Sequence, residues 1–167
     1  GPAPAKTVTV PAPKPPAPPT PTVKPPSGTL TILHSELGSE TWLPWGAMRQ
    51  DKLWKDAVME YLIYNDLTTG ELIPGLATDW NVSADGLTWT FNLRKGVQFH
   101  QGWGEVTAED VKYSIEKQVS PEGAAGALYN ALGSILDEVV VVDPYRVEFR
   151  LQRPSAVLPE MLSALQE

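Results

Sequence analysis

The stretch from Asp85 to Val111 constrains this chain most. Leu87, Trp89, Phe91 and Leu93 alternate strictly with Thr88, Thr90 and Asn92. A period of two puts the apolar side chains on one side of a strand and the polar ones on the other. Ser83-Ala84-Asp85-Gly86 precedes this run and Arg94-Lys95-Gly96 ends it. Each carries a glycine that can take the positive φ of a tight turn. Upstream, Trp80 and Val82 alternate with Asn81 and Ser83; downstream, Val97 and Phe99 alternate with Gln98 and His100. The pattern predicts three strands joined by turns. A glycine-containing loop, Gln101–Val106, then leads to Thr107-Ala108-Glu109-Asp110, which predicts a helix start. The Thr107 hydroxyl is placed to accept an N–H of the first turn, and Asp110 is placed to reach back, an acidic variant of the capping box. Glu109 and Asp110 also suit the positive end of the helix dipole. Val111, Ile115 and Val119 give that helix one inward stripe.

The flanking sequence extends the same theme. Val139–Val142 is a β-branched run, Asp143-Pro144 a turn, and Tyr145, Val147, Phe149 and Leu151 alternate with Arg146, Glu148 and Arg150. This predicts a second half-buried hairpin. Apolar residues at helical spacing predict helices over about 51–62, 127–136 and 156–165. Thr29–His34 is a short, apolar and β-branched run that predicts a mostly buried first strand. The expected class is α+β (mixed α/β), with short antiparallel hairpins packed against helices. No internal repeat is visible. Strand blocks and helices interleave without closing a core, so the sequence is expected to be the N-terminal portion of a larger protein.

The first 27 residues obey a different rule. They hold eleven of the 17 prolines, spaced by Ala, Thr, Val and three lysines, with no acid. Proline fixes φ and removes backbone donors, so residues 1–27 are expected to be a disordered, semi-rigid polyproline-II tether. A plain interdomain linker fits the composition nearly as well, and a proline-rich ligand for SH3-like domains is a further alternative. The net charge is −7 and the tether contributes +3, so the remainder carries −10. That balance argues against a nucleic-acid surface, which needs clustered Lys and Arg. There is no cysteine, which excludes disulfides, thiol nucleophiles and Cys-ligated zinc. No apolar run reaches the roughly 18–20 residues of a membrane span, so no direct membrane insertion is expected.

Catalytic constellations are not apparent. The two histidines, His34 and His100, belong to different elements and lack an H-x-x-x-H partner, so no metal or other cofactor is expected. His100 is expected on the polar phase of its strand. Glu109-Asp110 is explained by capping, and no G-x-S-x-G, G-x-x-x-x-G-K or G-x-G-x-x-G occurs. The chain is not expected to be an enzyme. Trp42 and Trp45 are large apolar groups in the polar loop Ser35–Trp45; they either fold back on the core or line a binding cleft. His34 ends the first strand, where a side chain can face a cleft. With Ser35, Glu36 and Leu37 it joins the two tryptophans as candidate ligand contacts.

The central stretch also resembles family 5 of the bacterial extracellular solute-binding proteins, receptors of ABC importers for peptides and, in one branch, nickel chelates. The family reads approximately P-x-L-A-x-x-W, then D-G-x-x-[WY]-x-F-x-L-R-x-G-V-x-F-H-D-G and T-A-E-D-V. Here stand Pro74-Gly75-Leu76-Ala77-Thr78-Asp79-Trp80, the run Asp85 to His100, and Thr107-Ala108-Glu109-Asp110-Val111. The pattern departs at Gln101, where the family has Asp, and at Trp103-Gly104-Glu105-Val106. The resemblance implies the N-terminal part of a periplasmic-binding-protein type II-like fold: residues 28–58 starting lobe I, and residues 59–167 forming the family's additional α/β domain, incomplete at its C-terminus. It implies capture of short peptides or a related small solute outside the membrane (periplasm or outer face of the cytoplasmic membrane), a permease partner and a lipid anchor upstream. It adds Leu128 and Tyr129, at the start of a helix that faces the cleft in the family, to the candidate contacts. The alternative is a surface-anchored structural module of the same descent with no ligand. Because turn, alternation and cap account for nearly every residue of the motif, the motif is expected to be scaffold and not binding site.

Overall fold

A computed structural model describes residues 28, 29, 31, 55–123 and 127–164. The chain divides after Leu33 into two units. Of the first, only Gly28, Thr29 and Thr31 are described; the two threonines lie outside any strand and are exposed. The rest of the expected strand Thr29–His34 lies outside the described residues, as does the expected tether.

The second unit, His34–Glu167, is built on an antiparallel sheet of four strands, in the order β3-β4-β6-β5. The strands are β3 (Ala77–Val82), β4 (Thr88–Leu93), β5 (Leu136–Asp143) and β6 (Arg146–Leu151). Burial along β4 alternates residue by residue, as its sequence predicts. Phe91 pairs with Val147 and Trp89 with Phe149 across the β4–β6 ladder. The Phe91 and Phe149 rings meet edge to face, with centroids 5.1 Å apart and both fully buried. The Trp80 and Trp89 rings each lie near-parallel to Phe91, with centroids 6.5 Å away. Trp89 escapes an unpaired indole by donating Nε1–H to the Ser155 carbonyl at 2.9 Å. The opposite face is polar. Arg150 pairs with Glu138 at 2.6 Å and Glu148 at 3.4 Å, Arg146 donates to Asn92, and Asn92 donates to Asp79.

Helices cover the apolar face. The first, α1 (Ala108–Val119), packs over β5 and β6 through Val111 and Ile115, which are buried. Its capping box is in place: the Asp110 carboxylate accepts the Thr107 backbone N–H at 2.8 Å and the Thr107 hydroxyl at 2.9 Å. Two shorter helices, α2 (Ala127–Ala131) and α3 (Leu158–Ala164), complete the layer. A two-stranded ribbon of β1 (Ile63–Asn65) and β2 (Leu72–Pro74) contacts α3.

Three expected elements take a different form. The helix expected over 51–62 reaches only Lys55 among the described residues, and a turn comes next. The N–H groups of Val58 and Met59 both donate to the Lys55 carbonyl, while the Tyr61 and Leu62 carbonyls accept from Gly75, Leu76 and Ala77. Those carbonyls are spent on a neighbouring chain segment, so the backbone enters β1 instead of another helical turn. Similarly, the helix expected over 127–136 stops at Ala131. Leu136 already pairs with Leu151, and the Ile135 carbonyl accepts from Gln152. The strand expected at Val97–Phe99 is reduced to a single bridge, Gln98 with Glu105, and then a 3-10 turn at His100–Gly102. Two backbone bonds, Phe99 N–H to Gly104 O and Val106 N–H to Val97 O, brace this short hairpin, both at 2.8 Å.

Gly75 permits a close backbone approach between the β2 end and the segment before β1. A Cβ there would lie 2.3 Å from the Tyr61 carbonyl oxygen and 2.8 Å from the Tyr64 ring. Gly75→Ala is expected to destabilise the protein by about 1–3 kcal/mol through overpacking, read by chemical denaturation. Asp110→Ala, which removes the acceptor for two Thr107 donors, is expected to cost about 1 kcal/mol in the same measurement. The Asp85 carboxyl is held below its ordinary range, first by the Ser83 hydroxyl and then by the Leu87 N–H. A depressed carboxyl stabilises the fold above its unfolded pKa and loses that contribution as pH falls through its folded pKa. Asp85→Asn is therefore expected to flatten the acid limb of the stability–pH curve.

Candidate functional site

A groove of about 480 Å³ opens beside the sheet. Its volume lies within the range that small-molecule sites occupy. One wall is the segment Val58–Leu62, whose Tyr61 and Leu62 carbonyls are held by backbone bonds from residues 75–77. A second wall comes from the 97–106 hairpin through Val97, Phe99 and Val106, and the floor from Val111 and Ile115 of α1 with Leu162 of α3. Polar groups are few and lie among these apolar ones: Glu60, Gln98, His100, Asp110, Ser114 and Gln118. Among the described residues, no Lys or Arg lines it.

Three polar side chains of this lining, those of Asp110, His100 and Tyr61, are engaged in structural bonds. Asp110 is bonded to Thr107. The His100 Nε2 lies 3.2 Å from the Val58 carbonyl and ties the hairpin to the opposite wall. Tyr61 donates its hydroxyl to Asp56 at 2.6 Å, and burial together with that carboxylate pushes the phenol well above its usual range. That shift keeps the phenol protonated at ordinary pH. Beyond the groove, Glu105 accepts from the Tyr145 hydroxyl at 3.0 Å and from the Gly96 N–H, while the Lys95 ammonium sits 5.0 Å above the Tyr145 ring. Among the described residues no three His, Cys, Asp or Glu side chains gather as metal ligands. No described helix is long and apolar enough to cross a membrane.

The candidate contacts fall in two places. His34, Ser35, Glu36, Leu37, Trp42 and Trp45 lie outside the described residues. Leu128 is a core side chain, 1% exposed, within α2. Tyr129, next to it, is half-buried. Neither lines the groove. His100, expected on a strand, stands exposed in the 3-10 turn. The groove itself escaped sequence reasoning, because the turns that close it bring together segments 58–62, 97–106 and 162. A usable signal was Phe99, an apolar residue left 42% exposed at the end of an alternating run that has no partner strand among the described residues.

Comparison with known proteins places the chain. Residues 71–167 match the family model for the bacterial extracellular solute-binding proteins, family 5 Middle. The dipeptide-binding protein of Escherichia coli is 38% identical over 113 residues, covering 56% of this chain and 21% of that protein. Among solved structures, the ABC transporter-associated periplasmic binding protein DppA of Helicobacter pylori, in complex with peptide STSA, superposes with a TM-score of 0.62 at 29% identity. That match covers 72% of this chain and 27% of the other. NikZ of Campylobacter jejuni, solved with Ni(L-His), gives a TM-score of 0.57 at 32% identity, over 64% of this chain and 21% of NikZ. The chain thus spans about a fifth of the length of the curated relative, and its mixed helix-and-sheet architecture is that of the matching part of a periplasmic binding protein. The hairpins and the capped helix, expected from alternation and turn chemistry, are the region that the family model covers: the chain belongs to the bacterial extracellular solute-binding proteins, family 5.

Proposed function

We propose that this chain is part of the substrate-binding component of an ABC importer, which captures short peptides or a related small solute outside the membrane and delivers them to a permease. The observation that carries this reading is the match of residues 71–167 to the family, together with relatives whose names record dipeptide binding and a peptide-bound structure. Family members are binding proteins, and the Tyr61 and Asp110 groups of the groove are committed to structural bonds, which supports capture without reaction. In this reading residues 28–58 begin one lobe and residues 59–167 form the adjoining α/β domain. The ligand meets His34, Ser35, Glu36 and Leu37 after the first strand, with Trp42 and Trp45 as aromatic walls. Tyr129 supplies a further contact, and Leu128 anchors its helical turn in the core. Lobe closure draws its free energy from tighter binding in the closed state. A proline-rich tether, lipid-anchored upstream, keeps the binding body near the permease.

Thermal denaturation in the presence of di- and tripeptide pools tests this directly. A peptide at 100 times its dissociation constant adds about 2.7 kcal/mol of stability, and Trp45→Ala is expected to diminish that gain while leaving the unliganded melting temperature in place. Absence of any shift with peptides and with nickel–histidine would argue against solute capture by this chain.

A further inference from the structure

Asp85-Gly86 is the one place in the sequence where glycine follows an aspartate or asparagine. In an open chain that pair is chemically labile, because glycine has no Cβ to shield its nitrogen from the neighbouring carboxyl. The Gly86 nitrogen bonds to Cγ of Asp85, and the carboxyl OH leaves as water with the amide proton. A second water then opens the five-membered ring. Where it attacks the former main-chain carbonyl, the Gly86 nitrogen stays on Cγ and the chain runs through Cβ, as isoaspartate. Water is the only co-reactant. One carbon is thereby added to the turn between β3 and β4, whose ends pair Val82 with Trp89.

In the folded chain both reacting groups are occupied, and Ser83 occupies both. Its carbonyl accepts the Gly86 N–H at 2.9 Å, and its hydroxyl donates to Asp85 Oδ1 at 2.6 Å. The same carboxylate oxygen accepts the Leu87 N–H at 3.0 Å. These donors hold the carboxyl below its ordinary range, Ser83 first and Leu87 second. An ionised carboxylate is a poor target for an amide nitrogen, since it has no OH to lose. Ser83 is itself fixed across the turn: its N–H donates to the Thr88 carbonyl at 2.9 Å, and its Oγ accepts the Thr88 N–H at 3.0 Å. Gly86 also sits against Pro154, where an added Cβ would lie 3.0 Å from the Pro154 Cβ. Ring closure needs the Asp85 carboxyl to swing onto the Gly86 nitrogen, so these bonds must open first. We propose that Asp85 is a latent site of isoaspartate formation, held inert in the folded chain by the Ser83 hydroxyl and carbonyl and released when the β3–β4 turn opens. The site lies within residues 83–88 and is independent of solute capture.

The test incubates the full folded chain at physiological temperature and neutral pH beside a synthetic peptide of residues 82–88. Isoaspartate is measured by enzymatic methylation and located at residue 85 by electron-transfer mass spectrometry. The folded chain is expected to isomerise about tenfold more slowly than the peptide, or slower still. Ser83→Ala, which removes both hydroxyl bonds, is expected to raise the rate about fivefold, the worth of one ordinary hydrogen bond. Ser83→Thr keeps the hydroxyl and should restore the slow rate. Asp110→Ala loosens the protein away from this turn and should react as slowly as the parent, which separates a local guard from general destabilisation. The proposal is overturned if the folded chain isomerises as fast as the peptide, if Ser83→Ala reacts no faster than the parent, or if Asp110→Ala accelerates the reaction as much as Ser83→Ala.

Discussion

The packing of Phe91 against Phe149 is the interaction on which the rest of the fold depends. The two rings are fully buried, meet edge to face at 5.1 Å, and belong to the two central strands. β4 is hydrogen-bonded to β3 on one side and β6 on the other, so displacing Phe91 disturbs both ladders. Replacing a buried aromatic by alanine typically costs about 3–5 kcal/mol, comparable with much of a small domain's stability. Trp80, Trp89, Val139 and Val147 extend the same apolar layer, and α1 closes it through Val111 and Ile115.

That layer sets where other parts can go. With β3 fixed against β4, residues 75–77 are placed to donate to the Tyr61 and Leu62 carbonyls, and this draws the segment 58–62 out of helix and along the groove. With β6 fixed, the β5–β6 turn places the Pro144 carbonyl to accept the Ala108 N–H at the start of α1. Tyr145, in the same turn, reaches Glu105 and so braces the hairpin that carries Trp103. The scaffold thus positions the groove and the hairpin without supplying their chemistry, which comes from residues at its ends and turns.

The sheet was legible in the sequence because each alternating strand is decided by its neighbours in the same hairpin. Leu87–Leu93 and Tyr145–Leu151 announce their faces by period alone, and Thr107 with Asp110 announces the helix start. What sequence could not supply were elements decided from far away. β1 and β2 are three residues each and exist because Tyr61 and Leu62 bond to residues 75–77. Helix ends at Lys55 and Ala131 were set by competing partners for backbone carbonyls, not by local propensity. The candidate site was less legible still. Spacing placed Leu128 and Tyr129 on one helix, but only packing shows that Leu128 is inside and Tyr129 half out. His34–Trp45 lie outside the described residues, and their proposed role rests on the place of His34 at the end of the expected first strand and on the two tryptophans of the loop that follows.

The central claim is that the motif stretch Ala77–Val119 is a packed scaffold organised on the β4–β6 pair. Native-state hydrogen exchange tests it most directly, because amides in the most stable unit open only with the whole fold. The amides of Trp89, Phe91, Val147 and Phe149 should exchange with a free energy equal to that of global unfolding by denaturant, while those of Gln101–Gly104 exchange far faster. Strand amides that open as readily as the hairpin tip would contradict the account.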